Sequence, residues 1–125
     1  MDYHIVISEN NDHLLLKILK PMTLEIVIAA YEELIKIGKG NNIFKMLADL
    51  RNLEIKTNNI DRYEFAYTMS EKLGLDRNWK LAILKDKNST APDFFETVMT
   101  NVGYDCKAFT KLEDAEDWLE NKKLP

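Results

Sequence analysis

Two nearly continuous apolar runs, Ile43 to Leu50 and Trp79 to Leu84, constrain the fold of this chain more than any other feature. A strand with one wet face alternates apolar and polar residues. A strand without that alternation is covered on both faces, as inner parallel strands are. Successive parallel strands need a crossover of a dozen or more residues, usually a helix. The stretch Ile60 to Leu73, opened by capping residues in Thr57-Asn58-Asn59 and closed by Gly74, supplies one.

The remaining segments fit around that core. Tyr3 to Ser8 and His13 to Leu19 read as strands separated by the turn residues Glu9-Asn10-Asn11-Asp12, too short a gap for anything but an antiparallel hairpin. Thr23 caps a first helix from Leu24 to Ile37, with Glu25 in its first turn and Gly38 and Gly40 ending it. Ser89-Thr90-Ala91-Pro92-Asp93 opens a third helix, with Thr90 and Asp93 as a box-like pair and Pro92 tolerated in the first turn. Its stripe is Phe94, Phe95, Val98, Met99 and Val102, and Gly103 stops it. Tyr104 to Phe109 alternates and reads as an edge strand. Thr110-Lys111-Leu112-Glu113 has capping-box spacing for a last helix that buries Leu112, Ala115, Trp118 and Leu119. The expected order is β-β-α-β-α-β-α-β-α: a single α/β domain over residues 1–125, its five-stranded sheet mostly parallel with one antiparallel strand, and four helices packed on it.

Composition narrows the function classes. A chain of 125 residues buries roughly two-thirds of the surface it exposes when unfolded, so it needs no disulfide or metal staple. A net charge of −4 argues against nucleic acid, which wants a basic face. The single cysteine, Cys106, forbids an internal disulfide and fits a reducing compartment. Met1-Asp2-Tyr3-His4 has neither the basic nor the apolar region of a secretory leader, and no apolar run approaches a membrane span. A cytoplasmic protein is expected.

The chemistry-bearing residues are sparse. His4, His13 and Cys106 stand in no metal-ligand spacing, and an ordinary cross-strand pair of His4 and His13 is the expectation. Cys106, in the middle of a strand, reads as a buried small thiol rather than a nucleophile. There is no G-x-S-x-G elbow, P-loop or G-x-G-x-x-G. No catalytic residue, metal or cofactor is expected, and the strand-to-strand opening excludes a phospho-receiver arrangement.

Two places remain as candidate sites. Ligands of open parallel sheets bind at the carboxyl ends of the strands. Asp49, Arg51, Lys87, Ser89 and Thr90 fall there and form a candidate anion or ligand site, against the plainer reading that Asp49 and Thr90 cap a loop and a helix. The second helix carries an apolar arc of Phe65, Ala66, Met69 and Leu73 beside a flank of Ile60, Tyr63, Tyr67 and Ser70. That span is broader than one core contact needs. Either the helix is a wide core element with tyrosine hydroxyls at its rim, or Tyr63 and Tyr67 belong to a contact surface.

The element order resembles the STAS superfamily of anti-sigma-factor antagonists, and more narrowly the small stand-alone STAS-like proteins related to the CRAL-TRIO lipid-binding fold. Phe44-Lys45-Met46-Leu47-Ala48-Asp49-Leu50-Arg51 resembles the family's apolar strand ending in Asp-Leu/Phe-Arg. Trp79-Lys80-Leu81-Ala82-Ile83-Leu84 resembles its next strand. Cys106-Lys107-Ala108-Phe109-Thr110-Lys111-Leu112-Glu113-Asp114-Ala115 resembles its closing strand, cap and helix. The resemblance implies a non-catalytic regulatory domain that binds a protein partner, or itself as a homodimer, through the second helix and the turn before it: Thr57, Asn58, Asn59, Tyr63 and Tyr67. The phospho-regulated members carry an Asp-Ser-Ser/Thr-Gly stretch there. Here Ile55-Lys56-Thr57-Asn58-Asn59-Ile60 lacks its serine and glycine, which implies a domain without the phospho-serine switch. The CRAL-TRIO relation implies an alternative, a module for a small apolar or lipid-like ligand.

Overall fold

A computed structural model describes residues 1–121. Five strands form one sheet in the order β1-β2-β3-β4-β5: β1 (Tyr3–Ile7), β2 (Leu14–Ile18), β3 (Lys45–Asp49), β4 (Lys80–Leu84) and β5 (Asp105–Phe109). β1 is antiparallel to β2 and every other pair is parallel. The α/β class, the hairpin opening and the inner positions of β3 and β4 are as the apolar runs require.

Both faces of the sheet explain those runs. Leu14, Leu16, Met46, Ala48, Leu81, Ile83 and Cys106 point to one side, into the main core beneath α1 (Leu24–Asn41), the second helix and α4 (Ala91–Asn101). Leu47, Ala82 and Leu84 point to the other, where Ala115 and Leu119 of α5 (Leu112–Leu119) cover them. Cys106 is buried, which pushes its thiol pKa well above the ordinary value and keeps it a thiol.

Four local expectations are corrected. α1 runs through Gly38 and Gly40 to Asn41 and ends on Asn42, which adopts the left-handed conformation usually given to glycine. Gly38 sits inside the helix where no side chain fits, because the chain folds back on it: an added Cβ would lie 2.5 Å from the Ile43 carbonyl oxygen and 2.5 Å from the Trp79 ring. Thr90 caps α4 with no side-chain hydrogen bond: its backbone is already helical, the Asp93 N–H donates to the Thr90 carbonyl at 3.1 Å, and the Asp93 carboxylate is drawn to Lys85 at 2.8 Å. α5 takes Lys111 as its N-cap with no side-chain hydrogen bond, so the Thr110–Glu113 box does not form, and Leu112 in the first turn is exposed. His4 stands opposite Lys17, not His13. His13 is buried at the start of β2, its Nδ1 donating to Asp12 Oδ2 at 3.0 Å.

The second helix is three pieces in one rod. α2 (Asn59–Glu64) passes into a π-helical segment, Phe65–Met69, and then into α3 (Ser70–Leu73), which ends on Gly74. Asn58 is the N-cap and makes a reciprocal capping box with Asp61, at 2.8 and 3.0 Å. The wider π turn rotates whatever follows it relative to an unbroken α-helix. Ser70 therefore leaves the flank that regular periodicity gives it. It is fully buried and donates to the Ala66 carbonyl at 3.0 Å.

Candidate functional site

The strand ends hold the first candidate set in two separate groups of hydrogen bonds, one around Asp49 and one around Lys85. Asp49, the last residue of β3, accepts from Arg51 Nε and Nη2, both at 3.0 Å, from the Arg51 backbone N–H at 3.1 Å and from Lys17 Nζ at 3.3 Å. Lys85, between β4 and α4, donates to the Ser89 carbonyl and the Asp93 carboxylate, each at 2.8 Å. Lys87 and Thr90 are exposed, and Ser89 is half-buried. Arg51 and Lys85 are thus already held by carboxylates, and what remains toward solvent is a salt-bridged rim rather than a cationic cradle.

The group around Asp49 makes stability depend on pH. Partial burial pushes the Asp49 carboxyl up, but the hydrogen bonds from Arg51 and the charges of Lys17 and Arg51 outweigh it and hold the pKa at about 2. An unfolded Asp titrates near about 3.9. The depressed folded value therefore stabilises the protein above about pH 5, and that contribution is lost as pH falls toward about 2. Because Arg51 and Lys17 are exposed, it amounts to about 1 kcal/mol. Urea unfolding of wild type and Asp49→Asn should differ by about that much at neutral pH and converge at about pH 2; a constant gap across the range refutes the assignment.

The second candidate set divides over two sides of one helix. Ile60 is 75 % exposed, Tyr63 51 % and Tyr67 48 %, and the two tyrosine rings stack at 4.7 Å with planes 8° apart. Tyr63 raises the Tyr67 hydroxyl pKa through the hydrogen bond between them. Phe65 and Ala66 are buried, and Met69 and Leu73 pack on the core from the opposite side. Of the flank read from the sequence, Ile60, Tyr63 and Tyr67 lie outside, whereas Ser70 is buried. Asn58 and Asn59, exposed, open this helix, and Thr57 is half-buried just before it.

A residue that sequence reasoning missed lies on the inner side. Arg62 is half-buried; its Nη1 donates to Asn59 Oδ1 at 2.7 Å, and its Nη2 donates to the Thr57 carbonyl at 2.7 Å and to Thr57 Oγ1 at 3.2 Å. All of these acceptors are neutral. Burial lowers its pKa, and the charge of Asp61 offsets this only in part. Arg62 stands at the mouth of a cavity of about 60 Å³ between the sheet, α1, α2 and α4, at the carboxyl ends of β2, β3 and β4. The walls include Leu16, Ile18, Ala48, Ile83, Phe65 and Phe95; Thr57 and Asp61 share the rim with Arg62. The rim is pinned from below, because Met22 accepts from the Lys56 N–H and donates to the Glu54 carbonyl, both at 2.8 Å.

Among the described residues, no group of three His, Cys, Asp or Glu side chains is placed to hold a metal ion, and no helix is long and apolar enough to cross a membrane. No protein-family model matches the chain, and no curated protein matches it.

Proposed function

We propose that the chain is a non-catalytic interaction domain of STAS type, working in the cytoplasm, that pairs through the outer face of its second helix without a phospho-serine switch. The observation that carries this reading is the flank of Ile60, Tyr63 and Tyr67, three large side chains about half or more exposed on a helix whose other side is built into the core. Exposed aromatic groups of this kind favour association, since they add apolar area at little cost in side-chain entropy. The occupant that fits is a second copy. Around a two-fold axis the helices run antiparallel and the tyrosine stacks meet. The opposed helix dipoles then attract. A patch built from three such side chains falls at the small end of specific interfaces, so the pairing is weak and concentration-dependent. The acidic balance of the chain disfavours nucleic acid as an alternative partner.

Light scattering and sedimentation of the full chain, from micromolar to millimolar protein, test this. Wild type should move from monomer to dimer across that range. Tyr63→Lys with Tyr67→Lys should stay monomeric with an unchanged circular dichroism spectrum. Wild type that remains monomeric at millimolar concentration, or a double variant that unfolds, overturns the reading.

A second reading, a module for a small apolar ligand, is favoured by the cavity behind Arg62. At about 60 Å³ it is far smaller than the few hundred Å³ that a lipid-sized ligand fills, which limits the reading to short ligands.

A further inference from the structure

The cavity and Arg62 together specify more than an apolar pocket. A guanidinium carries five N–H donors. Three hydrogen bonds leave Arg62, all to neutral oxygens of Thr57 and Asn59, one from Nη1 and two from Nη2. Asp61 is a carboxylate on the same rim, but it accepts from the Asn58 N–H at 3.0 Å rather than from Arg62 and offsets the loss of solvent around that cation only in part. An anion that reaches the remaining donors of Arg62 gains charge-assisted bonds, about twice as strong as neutral ones. Immediately behind it lies an apolar space framed by Leu16, Ala48, Ile83, Phe65 and Phe95. The π-helical turn begins at Phe65, itself a wall of the space, and such turns recur at functional sites. The capping box at Asn58 and the Met22 bonds to Glu54 and Lys56 hold the rim in place before any ligand arrives, so little ordering is required on binding.

We propose that this cavity binds a small monocarboxylate with a short apolar body, the body enclosed between sheet and helices and the carboxylate on Arg62. This names the ligand class for the second reading above and rests on it. Size sets the length. One water needs about 10–15 Å³ and an engineered cavity of about 150 Å³ takes benzene. A space of about 60 Å³ therefore takes an aliphatic body smaller than a benzene ring. The charged end lies at the mouth, so a longer chain has to push into the filled core beneath Leu16 and Ile83. Acyl chains of membrane-lipid length are excluded by the same geometry.

The test is a series of ligands followed by two-dimensional NMR on the full chain, reading the methyls of Val27, Ala48 and Ile83 and the amides of Thr57 to Phe65. Sodium propanoate, butanoate, pentanoate and octanoate are the probes, with butan-1-ol and pentan-1-ol as uncharged counterparts. Affinity should rise about fourfold with each added methylene, then fall sharply by octanoate. Each acid should bind at least tenfold tighter than the alcohol of the same length. In Arg62→Gln that difference should vanish while the alcohols bind as before. Should the Gln variant fail to fold, Arg62→Lys, which keeps the charge but loses the planar fork, should bind acids more weakly than wild type and alcohols equally. Acids and alcohols that bind equally well overturn the carboxylate assignment and leave the apolar-ligand reading standing. Shifts of the rim amides without the wall methyls, or no shifts at millimolar ligand, overturn both. Sedimentation of the same samples reads the pairing of the second helix independently.

Discussion

Gly38→Ala should destabilise the protein by about 2–3 kcal/mol, whereas Gly40→Ala, two residues further along the same helix, should stabilise it by about 0.5 kcal/mol. Propensity alone predicts a gain at both positions, since glycine inside a helix costs up to about 1 kcal/mol relative to alanine. The surroundings reverse the sign at Gly38. The Ile43 carbonyl and the Trp79 ring each lie 2.5 Å from where its Cβ would be. Trp79 is fully buried and wedged edge-on against Phe44, and the Ile43 N–H is bonded to the Gly38 carbonyl at 2.9 Å, so neither neighbour can retreat freely. At Gly40 no atom lies within 4 Å of the added methyl. Urea unfolding of the two variants checks the pair. Equal and favourable shifts at both positions would mean that Trp79 moves aside without cost.

The same glycine shows where local patterns stop carrying information. A glycine at the end of an apolar-periodic stretch usually marks a helix C-terminus, and by that logic α1 ends at Gly38. The reason for this glycine is instead the chain folding back at Ile43 and a tryptophan far along the chain, the second a tertiary fact that no window of sequence contains. By contrast β3 and β4 were legible, because burial on two faces writes itself into consecutive residues: Met46 and Ala48 serve one core, and Leu47 serves the other. The caps at Thr90 and Thr110 misled for a similar reason. The spacing of a capping box is necessary but not sufficient, and Lys85 competes successfully for Asp93.

The candidate site was half legible. Tyr63 and Tyr67 could be assigned to an outer arc by the α period, and they stay on it although Tyr67 lies inside the π segment, since the two rings still stack at 4.7 Å. Ser70 could not, because the π turn at Phe65 resets the phase and periodicity carries no signal for it. Arg62 did have a signal. It lies three and four residues before Phe65 and Ala66, on the inward stripe of the helix, where a charge is out of place unless something meets it. The outer tyrosines and the inner arginine belong to one helix, with Tyr63 adjacent to Arg62 in sequence. Any ligand that tightens the Thr57–Arg62 rim therefore acts on the element that carries the exposed tyrosines, the face proposed for pairing.

Phe65→Ala should be the most destabilising single change at the site, costing about 3–5 kcal/mol and lowering Tm by more than about 10 °C. Phe65 is buried between Tyr31, at a centroid distance of 4.8 Å, and Phe95, at 5.7 Å, and it also forms one wall of the cavity. Removing its ring deletes both aromatic contacts and joins the vacated volume to the space already there. The cost rises with the volume that the surroundings fail to refill. Collapse is limited here, because Tyr31 sits on α1 and Phe95 on α4, each held to the sheet by its own buried stripe. The enlarged cavity is apolar, and apolar cavities of that kind stay dry and accept benzene. Benzene at saturation should therefore raise the Tm of Phe65→Ala by several degrees and leave wild type unmoved, since a ligand that binds only the folded state stabilises it by mass action. A loss under about 1.5 kcal/mol would mean that the second helix slides inward to fill the gap. A large loss without benzene rescue would place the damage in the π turn itself rather than in the cavity it encloses.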